Sequence, residues 1–262
     1  MNRETKPTTP AIVILETRID NLGMAEVLER AQSMISLGRP SHIITANVDQ
    51  LVGNLGQPDR QVIFRNAALV VPDGVPLLWA ARFLKTPLRE RINGTNLMLQ
   101  ICGMAARKGF PVFLFGSPEG TADRAARALC KRFPGLRIAG TYFPEYGFED
   151  RQAENEKIRS LLREKKPAVL FVSLGYPKGV KWIEKNQAAC EIPLAVETGS
   201  SFKYISGEMR RAPHWMQRLG LEWCWRLCQE PRRLWKRYLI QDLPFFYHLI
   251  KQKISLARGK GN

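Results

Sequence analysis

The stretch "VVPDGVPLLWAARFLKTPLRERINGTNL", Val70 to Leu97, decides the fold. An apolar run that begins at Ala67 stops at Pro72, and an acid, Asp73, and a glycine, Gly74, follow at once. An apolar pattern at helical spacing comes next, then the Arg-rich "RERINGTN". A short apolar run closed by a turn and followed by a helix is one β-α unit. The same unit recurs along the chain. Strands are expected at 11–15 (AIVIL), 42–46 (HIITA), 67–71 (AALVV), 112–116 (VFLFG), 136–140 (LRIAG), 168–175 (AVLFVSLG) and 193–199 (PLAVETG). Helical patterns lie between them. This alternation predicts an α/β fold: a Rossmann-like parallel sheet with helices on both faces. In such sheets ligands bind outside the carboxyl ends of the strands. The turns "DG", "GSPEG", "SLGYP" and "ETG" stand at those ends and are candidate site walls.

The pattern changes near residue 207. From there "RAPHWMQRLGLEWCWRLCQEPRRLWKRYLIQDLPFFYHLIKQKISLARGK" carries no strand signal and reads as short helices broken at Pro213, Pro231 and Pro244. The expected division is a core over 1–206 and a helical, basic appendage over 207–262. The 262 residues carry a formal charge of +16. Twelve Lys and Arg against four Asp and Glu lie between Gly207 and Asn262, so half the excess sits in the appendage. Four of the six Trp lie there too. Such a balance favours anionic partners: nucleic acid, phosphorylated substrates or an acidic membrane surface. No recognition helix or RNA-binding signature accompanies the charge, so no nucleic-acid partner is expected. The first ten residues are polar, and no apolar run approaches the ~18 residues of a membrane span. The five cysteines are scattered and read as reduced thiols of a cytoplasmic protein.

Asp73, on a strand-to-glycine turn, either faces the crevice as a general base or caps the helix after Gly74. Thr45 and Asn47 end the second strand; they either hold sugar hydroxyls and the catalytic acid, or Asn47 caps the next helix. Arg91 either neutralises a diphosphate or belongs to a solvated basic face with Arg82, Lys85 and Arg89. Gly116 and Ser117, in "FLFGSPEG", form a strand–turn–helix of the kind that holds phosphate at a helix N-terminus. It matches neither dinucleotide nor Walker fingerprints. No D-x-D pair occurs among the seven aspartates, and His42, His214 and His248 take no role. Nothing in the sequence calls for a metal or another cofactor.

In their order, "TANVDQLV", "VVPDGVPLLWAARFL", "ERINGTNLM", "FLFGSPEGTADRAARAL", "LFVSLGYPK" and "RRAPHWMQRLGLEWCWRLCQEPRRLWKRYL" resemble the WecG/TagA/CpsF glycosyltransferases, glycosyltransferase family 26, from about residue 11 to 245. The resemblance implies transfer of a sugar from a UDP-sugar to a polyprenyl-diphosphate-linked saccharide. The reaction inverts the sugar, needs no metal, and serves cell-surface polysaccharide or teichoic acid synthesis at the cytoplasmic membrane face. It implies Asp73 as base, Thr45 and Asn47 beside it, and Arg91 on a diphosphate. Gly116, Ser117, Gly175, Pro177, Lys178 and Gly199 fall on the donor side. Arg211, Arg218, Arg226 and Arg233 come from an appendage that recruits the protein, peripherally, to an anionic membrane. Relatives self-associate, so a homo-oligomer is a further expectation.

The sequence also departs from the family pattern. Gly179 and Val180 stand where the family usually reads Gln-Glu. Glu197 and Ser200 replace small residues, Lys203 stands where Asp is common, and the "RxxGxD" pattern ends in Asn96. These changes predict either a different donor or acceptor, or a binding protein that keeps the fold without the chemistry.

Overall fold

The computed structural model describes residues 10–258. The chain runs β1 (Ala11–Ile14), β2 (Thr17–Asp20), α1 (Met24–Leu37), β3 (Ser41–Ala46), α2 (Val48–Asn54), α3 (Pro58–Asn66), β4 (Leu69–Pro72), α4 (Val75–Phe83), α5 (Gly94–Lys108) and β5 (Val112–Gly116). Then come α6 (Thr121–Arg132), β6 (Ile138–Tyr142), α7 (Gln152–Lys165), β7 (Val169–Ser173), α8 (Lys178–Asn186), β8 (Leu194–Glu197) and α9 (Ser201–Ile205). Four further α-helices follow: α10 (His214–Leu219), α11 (Glu222–Gln229), α12 (Pro231–Lys236) and α13 (Pro244–Arg258); a π-helical turn, Arg237–Gln241, joins the last two. Strands β3 to β8 form one parallel sheet in the order β4-β3-β8-β7-β5-β6.

Alternation along each strand fills a core on both faces. Val112 and Leu114 of β5 pack with Val169 and Phe171 of β7 against α1, α5 and α6. Phe113 and Phe115 face the other way, onto α7 and α8 with Leu170, Val172 and Trp182. A third cluster joins β3 and β4 to α2, α3 and α4, and Phe245 and Leu249 of α13 are buried in it. The last helix is therefore packed on the sheet's covering helices.

The first expected strand is placed differently. Ala11–Ile14 does not enter the parallel sheet; it pairs antiparallel with Thr17–Asp20 in a separate hairpin. The two turn residues, Leu15 and Glu16, both take positive φ (46° and 66°). Hairpin turns of this kind usually carry Asn-Gly, so the sequence gives no turn signal here. Other parts of the chain hold the hairpin. The Gln252 side chain, from α13, accepts from the Leu15 N–H at 3.1 Å and donates to the Val13 carbonyl at 2.8 Å. Asp20 accepts the Val70 N–H at 2.7 Å, which ties β2 to the edge strand β4. The expected strand 136–140 is shifted to Ile138–Tyr142. The prolines of the C-terminal segment open helices: Pro231 and Pro244 are first residues, and Pro213 precedes α10, as the missing N–H of proline favours.

One packing contact concerns two departures at once. Glu197 ends β8, between β3 and β7, and is 2% exposed. Gly179, in the first turn of α8, lies against it: a Cβ at 179 would stand 3.1 Å from Glu197 Cγ and 3.7 Å from Val172 Cγ1. The glutamate occupies the space that a side chain at 179 would need. Burial is the main cause that pushes the Glu197 carboxyl up to about 7, and nearby Asp73 adds to the rise. The Gly199 N–H, at 3.0 Å from Oε1, and Arg237 pull it down in part.

Two outcomes follow for stability. Gly179→Gln lowers the melting temperature, by an overpacking cost of about 1–3 kcal/mol. Glu197→Gly in the same chain restores most of it, read as a non-additive cycle in thermal unfolding. Because Glu197 titrates higher in the folded chain than its ordinary 4.5, its stabilising contribution is full below that pH and is lost as pH rises to about 7. Melting curves of Glu197→Gln therefore lack the loss of stability that the parent shows between pH 5 and 8.

Candidate active site

The carboxyl ends of β3, β4, β5, β7 and β8 open into one cleft of about 650 Å³, roofed by residues of the C-terminal helices. Thr45, Asn47, Asp73, Arg91, Ser117, Gly175, Gly199, Arg211, Arg226 and Arg233 all line it. Residues from five strand ends and from the basic tail thus converge on a single space. Arg218 lies on α10, and its side chain is outside the described residues.

Asp73 sits on the cleft floor. It does not cap α4, whose N-cap is Gly74. Its carboxylate instead faces the start of α5: the Gly94 N–H donates to Oδ2 at 3.3 Å and the Asn93 side chain to Oδ1 at 3.2 Å. A helix N-terminus is a favourable place for a negative charge. Gly94 permits the approach, since a Cβ there would be 3.2 Å from Thr45 Oγ1 and 3.7 Å from Asp73 Oδ2. Burial nonetheless raises the Asp73 carboxyl above its ordinary range. Arg91, the Gly94 N–H and Arg226 oppose the rise, and Glu222 adds to it. A carboxylate so placed is a stronger proton acceptor than a solvated one.

Thr45 is buried beside it and donates to the Glu197 carbonyl at 3.3 Å, linking the ends of β3 and β8. Asn47 is the N-cap of α2, accepting from the Gln50 N–H at 3.2 Å. Its oxygen also meets Arg237 Nη2 at 3.4 Å, so the capping residue is part of the cleft wall as well.

The cations come from both halves of the chain. Arg91 pairs with Glu222 at 2.7 Å and lies near the Gln217 carbonyl. It is a mostly buried ion pair rather than part of the solvated face that Arg89 forms with Glu26. Arg211 donates to the Asn96 side chain at 2.8 Å and approaches Glu222 at 4.0 Å. Arg226 donates to Ser200 Oγ at 3.0 Å, while its buried Nε makes no hydrogen bond. Arg233 pairs with Glu230.

The donor-side turns divide. Ser117 donates through its N–H to the Ser173 carbonyl at 2.7 Å; its Oγ lies 2.7 Å from Ser173 Oγ, which in turn donates to the Gly199 carbonyl. This stitch holds the ends of β5, β7 and β8 together. Gly116 lies behind it: its φ is +101°, and a Cβ there would stand 2.6 Å from the Ser173 carbonyl oxygen. Gly116, Pro177 and Lys178 are not among the lining residues. Lys178 pairs with Glu149 and lies over the Tyr146 ring at 4.8 Å. The start of α6 is also engaged: Glu208 accepts from Thr121 Oγ1 at 3.1 Å and from Arg124 at 2.5 Å. Glu208 thus ties the side chains of the first turn of α6 to the segment after α9, while Ser117 and Pro118 still line the cleft.

Sequence reasoning missed several lining residues. Glu197 and Lys203 registered only as departures. Glu222, Arg237 and Tyr238 lie in the quoted C-terminal motif but were given no role, and Asp242 lies outside every motif; folding brings all four to the cleft. Asp242 is pushed up to about 6 by burial, opposed by Arg237. Arg237 itself pairs with Asp49 at 3.3 Å.

Known proteins resemble the chain over nearly its whole length. The chain is 26% identical over 99% of its length to an N-acetylglucosaminyldiphosphoundecaprenol N-acetyl-beta-D-mannosaminyltransferase of Staphylococcus aureus (strain MW2), all of which is covered. The same identity and coverage hold for the proteins of that name from strains NCTC 8325 / PS 47 and N315. The family model for glycosyl transferases of the WecG/TagA/CpsF type matches residues 12–259. On that match the chain belongs to the glycosyl transferase WecG/TagA/CpsF family.

Proposed function

We propose that the chain moves a sugar from a UDP-sugar to a saccharide carried on a polyprenyl diphosphate, at the inner face of the cell membrane, in cell-surface polysaccharide synthesis. The observation that carries this reading is Asp73: a carboxylate of raised basicity on the floor of a cleft ringed by arginines from both core and tail. Asp73 takes the proton of an acceptor hydroxyl. The freed oxygen attacks the anomeric carbon, and the bond from that carbon to the UDP oxygen breaks, with its electron pair leaving on the diphosphate. A single displacement inverts the anomeric centre. Arg91, Arg211 and Arg226 offset the charge on the leaving group. A cleft of about 650 Å³ suits a ligand of nucleotide-sugar size. The acceptor named for the staphylococcal relatives, a diphosphoundecaprenol, supports the lipid-linked half of the reading.

The segment 207–262 serves as the membrane-facing appendage. It leaves Trp215, Leu219, Trp235, Leu239, Ile240 and Leu243 exposed among its basic residues. Among the described residues no helix is long and apolar enough to cross a membrane. Surface attachment through aromatic and basic side chains is the mode this composition supports.

The reading is tested by UDP release with anionic liposomes, polyprenyl-diphosphate-linked acceptors and a panel of UDP-sugars. Turnover that requires both substrates supports it; UDP binding without turnover in any pair argues for a binding protein. Asp73→Asn is expected to lower kcat about 10²–10⁴-fold, the range of a lost general base. Undiminished turnover in that variant removes Asp73 as the base. The pH–rate profile rises with pH as Asp73 loses its proton, with its acid limb above the ordinary carboxylate range. Cosedimentation with anionic vesicles is expected to weaken with salt. Neutralising the exposed Arg232 and Lys236 lowers it by an order of magnitude or more, at ~1 kcal/mol per basic residue.

A further inference from the structure

A second hollow, of about 270 Å³, lies between α4 and α13. Pro76, Trp79 and Phe83 form one wall and Phe246, Leu249 and Ile250 the other; among the described residues only apolar side chains line it. It adjoins the catalytic cleft, and Pro76, Trp79 and Phe246 line both. Its near end starts beside the proposed base: only Gly74 and Val75 separate Asp73 from Pro76. From Pro76 to Phe83 it runs about 10 Å at the rise of a helix. At its far end Lys253, from α13, donates to the Phe83 carbonyl and lies over the Phe83 ring at 5.0 Å. The rims are open: Trp79, Phe83, Phe246 and Ile250 are each roughly half exposed.

An apolar channel that begins at the polar cleft and ends at the surface fits one kind of occupant, a molecule polar at one end and hydrocarbon at the other. We propose that it holds the first isoprene units of the acceptor's polyprenyl chain, an inference that rests on the transferase reading above. The saccharide then lies over Asp73, and the acceptor's own diphosphate spans from it to the mouth of the groove at Pro76 and Trp79. The hydrocarbon leaves along α4 and α13 towards the bilayer. The groove is too short for a whole polyprenyl chain, so it fixes the exit direction and leaves the remainder in lipid. A bilayer-anchoring face would not need a shared wall with the cleft; a substrate groove does.

The test compares acceptors with the same diphosphate-linked saccharide on a short water-soluble prenyl chain and on a long one, below their micelle concentrations. The parent is expected to show a KM lower by roughly tenfold for the longer chain, as burial of a few apolar groups implies. Phe83→Gln with Ile250→Gln, both at half-exposed positions, is expected to abolish that preference. Turnover of the short acceptor and vesicle cosedimentation should stay within twofold. Equal KM values for both chains in the parent overturn the proposal. So do variants that lose vesicle binding while keeping the chain-length preference, which would assign the face to the bilayer. A photoactivatable prenyl diphosphate gives a readout independent of turnover. Labelling within 75–83 and 244–258, lost in the variant, supports the groove; labelling elsewhere overturns it. Absence of turnover with every acceptor, alongside labelling of the groove, would fault the transferase reading and not the groove.

Discussion

The cleft depends on holding a partly buried carboxylate at Asp73. Withdrawing a carboxylate from water is costly unless charges and hydrogen bonds compensate it. Here the compensation comes from three directions. The start of α5 offers the Gly94 N–H, its capping residue offers the Asn93 amide, and Arg91 and Arg226 supply positive charge. Arg226 belongs to the tail, and Arg91 is itself held by Glu222 of the tail. The strand end and the C-terminal helices therefore share one electrostatic unit, and the surroundings of Asp73 are not fully built by the sheet alone.

That sharing explains which features the sequence disclosed. The parallel sheet was legible because each of its strands is a short apolar run closed by a turn. The hairpin was not, because its turn residues, Leu15 and Glu16, carry no turn chemistry, and Gln252 and Asp20 fix it from elsewhere. Asp73, Thr45 and Arg91 stood out as residues at strand ends and in a recurring pattern, but their partners did not. Sequence offered the helix after Gly74 as the one Asp73 caps, whereas the carboxylate faces α5, some twenty residues on. It gave no sign of Glu208, whose carboxylate meets the Thr121 side chain in the first turn of α6. It did not disclose the pair that Lys178 makes with Glu149, from the segment before α7. Each of these turns on a contact between residues distant in sequence, which local patterns do not encode.

The departures from the family pattern are the sharper case. Read singly, Gly179 removes a polar side chain and Glu197 adds a charge at a strand end. In the fold they are one change, because Glu197 takes the volume that any side chain at 179 would occupy. Ser200 receives Arg226 at 3.0 Å, and Lys203 faces Glu230 at 3.6 Å. Three of the substituted positions thus have partners shaped to them, two of those partners in the tail.

An eroding site loses groups without replacement and accumulates buried polar atoms that nothing satisfies. At the end of β8 Glu197 has its partners, although the buried Nε of Arg226, which meets Ser200, makes no hydrogen bond. The Glu197 carboxylate accepts the Gly199 N–H, packs on the one residue type that admits it, and stays beside Asp73. Two acids now end the strands flanking β3, one of them poised near neutrality. A protein that only bound its ligand would gain nothing from holding a second buried carboxyl next to the first, since the like charge raises the cost of both. A transferase gains a group on the cleft wall able to donate or accept a hydrogen bond according to its protonation. The substituted residues therefore favour altered selectivity over lost chemistry.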